Sequence, residues 1–183
     1  MIISVRKMNP DEIRNLIDKQ PYQFTKEDIP NPRINIYERE ALRSWCYLTP
    51  AMYWIKRWKS EPPETLRHDP SISDSFGDTC AMYWIANCED AVPEYLRHDP
   101  TIRNMNGYTC AMYWIMYHKC DVPEWMRHDP SIQDIVGETC AMLWIKLREY
   151  DYVPKYLQHD DNIKTINGET CNALNDGLEV VYR

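Results

Sequence analysis

Thr79-Cys80-Ala81-Met82-Tyr83-Trp84-Ile85 returns as Thr109-Cys110-Ala111-Met112-Tyr113-Trp114-Ile115, and nearly again as Thr139-Cys140-Ala141-Met142-Leu143-Trp144-Ile145. An earlier copy begins Thr49-Pro50-Ala51-Met52-Tyr53-Trp54-Ile55, and a worn one begins Thr170-Cys171-Asn172-Ala173-Leu174. The steps between the threonines are 30, 30, 30 and 31 residues. A fixed period of this length predicts a solenoid, because one such unit cannot bury its apolar face alone and stacking builds the core.

Within the unit, Gly-x-Thr comes first, as in Gly77-Asp78-Thr79 and Gly107-Tyr108-Thr109. Glycine supplies a turn conformation that other residues resist, and threonine accepts from the free N–H groups of the helix it opens. The Ala-Met-Tyr-Trp-Ile run that follows is apolar almost all round, as expected of a helix packed between two neighbours. A second helix is expected to start at Pro63, Pro93, Pro123 and Pro154, since proline is tolerated in a first turn. It must be short, because Asp69-Pro70, Asp99-Pro100 and Asp129-Pro130 end it.

Here the chain resembles the ankyrin repeat family. The opening Gly-x-Thr-Pro-Leu-His of that family has its counterpart in these units, and Thr49-Pro50 keeps even the proline. The resemblance covers about residues 45–177. It departs in its period, in Cys for Pro, in Met for His, and in Trp54, Trp84, Trp114 and Trp144, which stand where the family has a small residue. The expected fold is all-α: an α-solenoid of stacked helix-turn-helix, ankyrin-like repeats with terminal caps. Residues 1–43 form an N-terminal capping segment, with a helix from Asn9 to Asp18 and another over Tyr37–Ser44. Five repeats start near 44, 74, 104, 134 and 165 within 44–177, and 178–183 are a C-terminal tail.

The 28 acidic against 21 basic residues give a net charge of -7, which argues against a broad phosphate-binding face. No long apolar run or signal-like start is present, so an intracellular, cytoplasmic, reducing compartment is expected and no membrane partner. Cys80, Cys110, Cys140 and Cys171 share one slot. Stacked helices lie about 10 Å apart, beyond disulfide reach, so these read as small buried thiols.

His68, His98, His128 and His159 also share a slot, each followed by Asp. The same separation argues against one metal centre, and the row reads as a structural cap at the end of the second helix. No nucleophile elbow, phosphate loop or His-Glu-x-x-His is found, so no catalytic residue, no metal, no cofactor and no enzyme are expected.

Candidate binding residues are those that change while the scaffold repeats. The fingers before Gly-x-Thr read Ser75-Phe76, Met105-Asn106, Ile135-Val136 and Ile166-Asn167, with Trp45-Cys46 in the first unit. In the ankyrin family such slots resemble the fingertip and concave-face positions that touch partners. The resemblance therefore implies a partner-binding set of Phe76, Asp78, Tyr108, Met116, Tyr117, Val136, Glu138 and Leu147, the apolar members lining one concave patch. The expected function is a protein–protein interaction module that binds, and by analogy inhibits, another protein, for instance as a viral or pathogen effector or as an adaptor. Two other readings stay open: an acidic mimic of nucleic acid occupying a basic groove, and a metal- or ligand-binding enzyme using the His-Asp row.

Overall fold

The computed structural model describes residues 9–19, 36–39, 45–118, 120–148, 152–160 and 162–175. The expected capping role of residues 20–35 and the tail 178–183 lie outside these. Helices α1 (Pro10–Lys19), α2 (Pro50–Trp58), α3 (Cys80–Asn87), α4 (Cys110–Tyr117), α5 (Cys140–Arg148) and α6 (Cys171–Asn175) follow one another, with strands β1 (Ile36–Arg39) and β2 (Trp45–Leu48) between α1 and α2. The chain divides into two compact units, residues 1–97 and 98–183. In the first, α1 packs on α2 and α2 on α3; in the second, α4 packs on α5 and α5 on α6.

Each long helix starts where its threonine caps it. Thr49, Thr79, Thr109 and Thr139 accept through Oγ1 from the backbone N–H of Met52, Met82, Met112 and Met142 at 3.3–3.4 Å. The Cys-Ala-Met-x-Trp-Ile stripe is buried in α3, α4 and α5, as are Ile13 and Ile17 of α1. The Trp indoles reach under the following loop, Trp84 Nε1 donating to Asp90 O at 3.0 Å and Trp114 Nε1 to Asp121 O at 3.1 Å. They fill space beside a connection that is too short to make a helix.

That connection corrects one expectation. The second helix is a single 3-10 turn, at Glu64–Leu66, Glu94–Leu96, Glu124–Met126 and Lys155–Leu157, with the proline just before it and not inside it. Arg67, Arg97, Arg127 and Gln158 already have extended backbone, so no i→i+4 bond can form. The turn still carries a repeated device: the Arg67 guanidinium lies 3.8 Å over the Tyr95 ring, and that of Arg127 3.9 Å over Tyr156. Arginine of one repeat thus stacks on the aromatic ring of the next, a cation–π contact worth about 0.5–2 kcal/mol. In the following repeat the slot holds Gln158, whose Nε2 donates to Val153 O at 3.1 Å and to the Tyr152 hydroxyl at 3.4 Å.

A second correction concerns Tyr37–Ser44. Tyr37–Arg39 belong to β1, which pairs antiparallel with β2 in the register Ile36↔Leu48 to Arg39↔Trp45; residues 40–44 are outside the described set. Helix propensity over so short a stretch is weak, and antiparallel pairing with β2, which begins at Trp45, wins over it. The helix α1 is as expected, with a reciprocal cap in which Glu12 N–H donates to Asn9 Oδ1 and Asn9 N–H to Glu12 Oε2, both at 2.9 Å.

Candidate functional site

Every finger is built round one side chain. Asp74 Oδ1 accepts from the N–H of Phe76 and Asp78, Asn104 Oδ1 from Asn106 and Tyr108, Asp134 Oδ1 from Val136 and Glu138, and Thr165 Oγ1 from Asn167 and Glu169. The loop then closes through Gly107 N–H to Asn104 O and Gly137 N–H to Asp134 O, with both glycines at φ near +80°, the left-handed region. In the second unit the fingers bond directly to one another: Ile135 N–H donates to Asn106 O at 3.0 Å and Ile166 N–H to Val136 O at 2.9 Å.

This ladder holds Met105, Ile135 and Ile166 at the same place in three successive fingers, where they are 69, 64 and 73% exposed. The expected binding set included Val136 but none of these three. Their signal was present, as large apolar residues in one changing slot, but only the turn geometry tells which of the two tip residues points outward. Among the expected residues, Tyr117 and Leu147 are 57 and 53% exposed, at the same position in the adjacent helices α4 and α5. Val136 is exposed, whereas Tyr108, Met116 and Glu138 are half-buried. Phe76 and Asp78 are half-buried in the first unit.

Tyr108, Tyr113 and Tyr117 form an aromatic run, with Tyr108 edge-on to Tyr113 at 6.1 Å and Tyr113 stacked on Tyr117 at 5.9 Å between ring centres. Lys146 Nζ donates to carboxylates of both Glu138 and Glu169. These are half-exposed groups, so the pairing is worth little in stability but sets the charge of the finger face.

The first unit's finger slot is different, since Trp45-Cys46 lie in β2. Its neighbour Tyr47 donates its N–H to Ser75 Oγ at 3.2 Å, so the ribbon meets the next finger at its tip. Behind it, the Tyr53 hydroxyl donates to Asp18 Oδ1 at 3.0 Å, and Arg57 pairs with the same carboxylate at 3.3 Å, tying α1 to α2.

The histidines of the row bond to a return loop and a helix start and do not cap a helix end. His68, His128 and His159 place Nδ1 2.8 Å from the carbonyl of the following Asp, which can only accept, so Nδ1 carries the proton. Nε2 then faces Thr49, Thr109 or Thr139 Oγ1 at 2.7–2.8 Å and accepts from it. The thiols of Cys80, Cys140 and Cys171 in the next repeat approach the same nitrogens at 3.3–3.8 Å. Each of these three histidines thus closes the return loop onto the threonine that starts its own repeat. Burial pushes the Cys80 and Cys140 thiols up to about 12, which leaves them unreactive. Among the described residues, no group of three or more His, Cys, Asp or Glu side chains could hold a metal ion.

Acid should loosen this arrangement. Burial holds the His98 imidazole below its ordinary value of 6.5, outweighing the Asp99 carbonyl and charge, which act oppositely. Its contribution to stability is complete above pH 6.5 and is lost as pH falls through the depressed folded value. Asp99 and Asp129 are held below 3.8 by hydrogen bonds from Thr101 and Ser131, so theirs is complete above that pH and lost below it. The urea midpoint is therefore expected to fall in two stages on acidification, with His98→Gln reducing the first stage only. An unchanged first stage in His98→Gln contradicts this.

A cleft of about 350 Å³ opens beside α6, between Ala141, Ile145, Val153 and Asn172. At the positions matching the Trp and Ile of the other helices the sequence has Asn175 and Asp176. The titratable pair on its wall, His159 and Cys171, is already engaged in the repeat staple.

No helix among the described residues is long and apolar enough to cross a membrane. No family model matches the chain, and no curated protein matches it. Solved structures do. The ankyrin repeat protein EF0377 is similar over 92% of this chain and 85% of its own, at 16% identity and a TM-score of 0.50. The ankyrin repeat domain of Bcl-3, a member of the IkappaB protein family, is similar over 92% of this chain and 75% of its own, at 18% identity and a TM-score of 0.50. At such identities the likeness speaks for architecture alone, and by architecture this chain is similar to ankyrin repeat proteins.

Proposed function

We propose that this protein binds another protein through its finger face, with Met105, Ile135 and Ile166 at the tips and Tyr117 and Leu147 on the adjoining helix ends. The observation that carries the reading is the exposure of three large apolar side chains at one position of three hydrogen-bonded fingers. Exposed apolar groups held in a rigid row have no folding role that would retain them, and patches of this kind mark interaction surfaces. The half-buried Tyr108, Met116 and Glu138 and the exposed Val136 border that row; Phe76 and Asp78 hold the same positions in the first unit. A protein that acts by occupying such a surface serves as an adaptor or an inhibitor.

The test uses Ile135→Asp and Tyr117→Ala, both at exposed sites where folding should change by less than about 0.5 kcal/mol. Proteins retained from a native extract by the immobilised wild-type chain should be lost at least about tenfold by the double variant. Equal retention by wild type and variant overturns the assignment of this face.

A further inference from the structure

Tyr83 and Tyr113 do a second job besides packing. The Tyr83 hydroxyl donates to Asp74 Oδ2 at 2.8 Å, and the Tyr113 hydroxyl accepts from Asn104 Nδ2 at 3.3 Å. In each case the tyrosine satisfies the atom of the finger-building side chain that the finger itself does not use. The next helix has Leu143 in that slot. Asp134 still builds its finger through Oδ1, and the residue is only 7% exposed. Its Oδ2 is buried with no hydrogen-bond partner. A buried carboxylate oxygen without a donor costs about 1–3 kcal/mol or more, so the array gives up stability at one repeat by omitting one hydroxyl.

The charge around this oxygen states what kind of donor it takes. Lys146 is shared between Glu138 and Glu169, and Asp134 adds a third carboxylate that the ammonium does not reach. Tyr108, whose phenol is pushed up first by burial and then by the charges of Asp134 and Glu138, stands beside both acids. Beyond them rise the apolar tips Met105, Ile135 and Ile166. A neutral donor would satisfy Oδ2 but leave the excess negative charge; a cationic side chain satisfies both.

We infer that Asp134 Oδ2, in the slot left by Leu143, is a subsite that accepts a lysine or arginine side chain from a partner protein whose neighbouring apolar residues sit on the finger tips. This rests on the partner-binding reading above. In the free protein this oxygen is buried, so a partner's cation reaches it by displacing the side chains packed over it. Asp134 serves as specificity element, and the tips as anchors.

Two variants isolate the subsite. Asp134→Asn keeps the Oδ1 that builds the finger, as Asn104 does one repeat earlier, but turns the second position into a donor. Leu143→Tyr keeps the charge and supplies the missing hydroxyl, as Tyr83 does for Asp74. A displayed library of random twelve-residue peptides is selected on the purified full chain, and enriched sequences are remade and titrated by fluorescence anisotropy. The expected peptides hold Lys or Arg at a fixed offset from apolar residues, and changing that base to Ala weakens binding to wild type about 10- to 100-fold. Against Asp134→Asn and Leu143→Tyr the same change should cost less than about twofold, since the interaction is already gone. If the base matters equally for wild type and both variants, or does not matter at all, Asp134 holds no cation and the inference fails. If the enriched peptides ignore Ile135→Asp, or none is enriched, the partner-binding reading fails and takes this inference with it. Loss with Asp134→Asn but not with Leu143→Tyr means that only the overall charge is felt, which also overturns the subsite.

Discussion

Replacing Trp114 by alanine is expected to lower the unfolding free energy by about 3–5 kcal/mol, the range for removing a large aromatic residue from a core. Trp114 is 6% exposed, stacks on His118 at 4.0 Å between ring centres, and donates from Nε1 to Asp121 O. The alanine therefore opens a cavity and strips a loop carbonyl of its donor at once. Set against the 5–15 kcal/mol typical of a whole domain, this is a large share. Trp114→Phe separates the two parts: it keeps most of the buried area, loses the bond, and should cost about 1 kcal/mol more than packing alone explains. Urea denaturation followed by far-ultraviolet circular dichroism gives both values. A cost below about 1 kcal/mol for the alanine variant would mean that the indole merely covers the loop.

Gly107→Ala and Gly168→Ala should differ by more than their shared sequence context suggests. Both glycines have φ near +80°, and alanine there costs about 1–2 kcal/mol. At Gly107 an added Cβ would also lie 2.7 Å from Asp134 Cα and 2.9 Å from Ile135 N, which are backbone atoms of the next finger. At Gly168 it would meet nothing within 4 Å. Gly107→Ala is therefore expected to cost a further ~1–3 kcal/mol as the fingers are forced apart, and to break the bond from Ile135 N–H to Asn106 O. Equal urea midpoints for the two variants would show that the finger ladder contributes nothing to stability.

How far the chain could be read without coordinates varies along the unit. Helix starts were legible because a threonine cap, a glycine before it and an apolar run after it are all local. The second helix was misjudged since proline marks either a cap or a first turn, and three residues before Arg-His-Asp-Pro leave room only for a 3-10 turn. The role of Arg67 and Arg127 went unread. Its signal is a pair of slots, arginine in one repeat and an aromatic residue 28 or 29 positions later, as in Arg67 with Tyr95 and Arg127 with Tyr156. The finger residues are legible in the sequence as the ones that vary between repeats, but only the structure shows Met105, Ile135 and Ile166 as strongly exposed.

By itself the sequence determined that this protein is a stack: a 30-residue period with one helix cap and one buried stripe per unit leaves no other way to hide the apolar surface. Only the tertiary structure decided what residues of the same slot do. Gly107 and Gly168, or Tyr113 and Leu143, read alike or as tolerable exchanges along the chain. They differ in what stands against them from the next repeat, a finger backbone or open space, a satisfied partner or the lone Asp134 Oδ2. Local conformation depends on neighbours in sequence, whereas steric contact and hydrogen-bond satisfaction depend on neighbours in space, and in a repeat protein those are supplied one unit away.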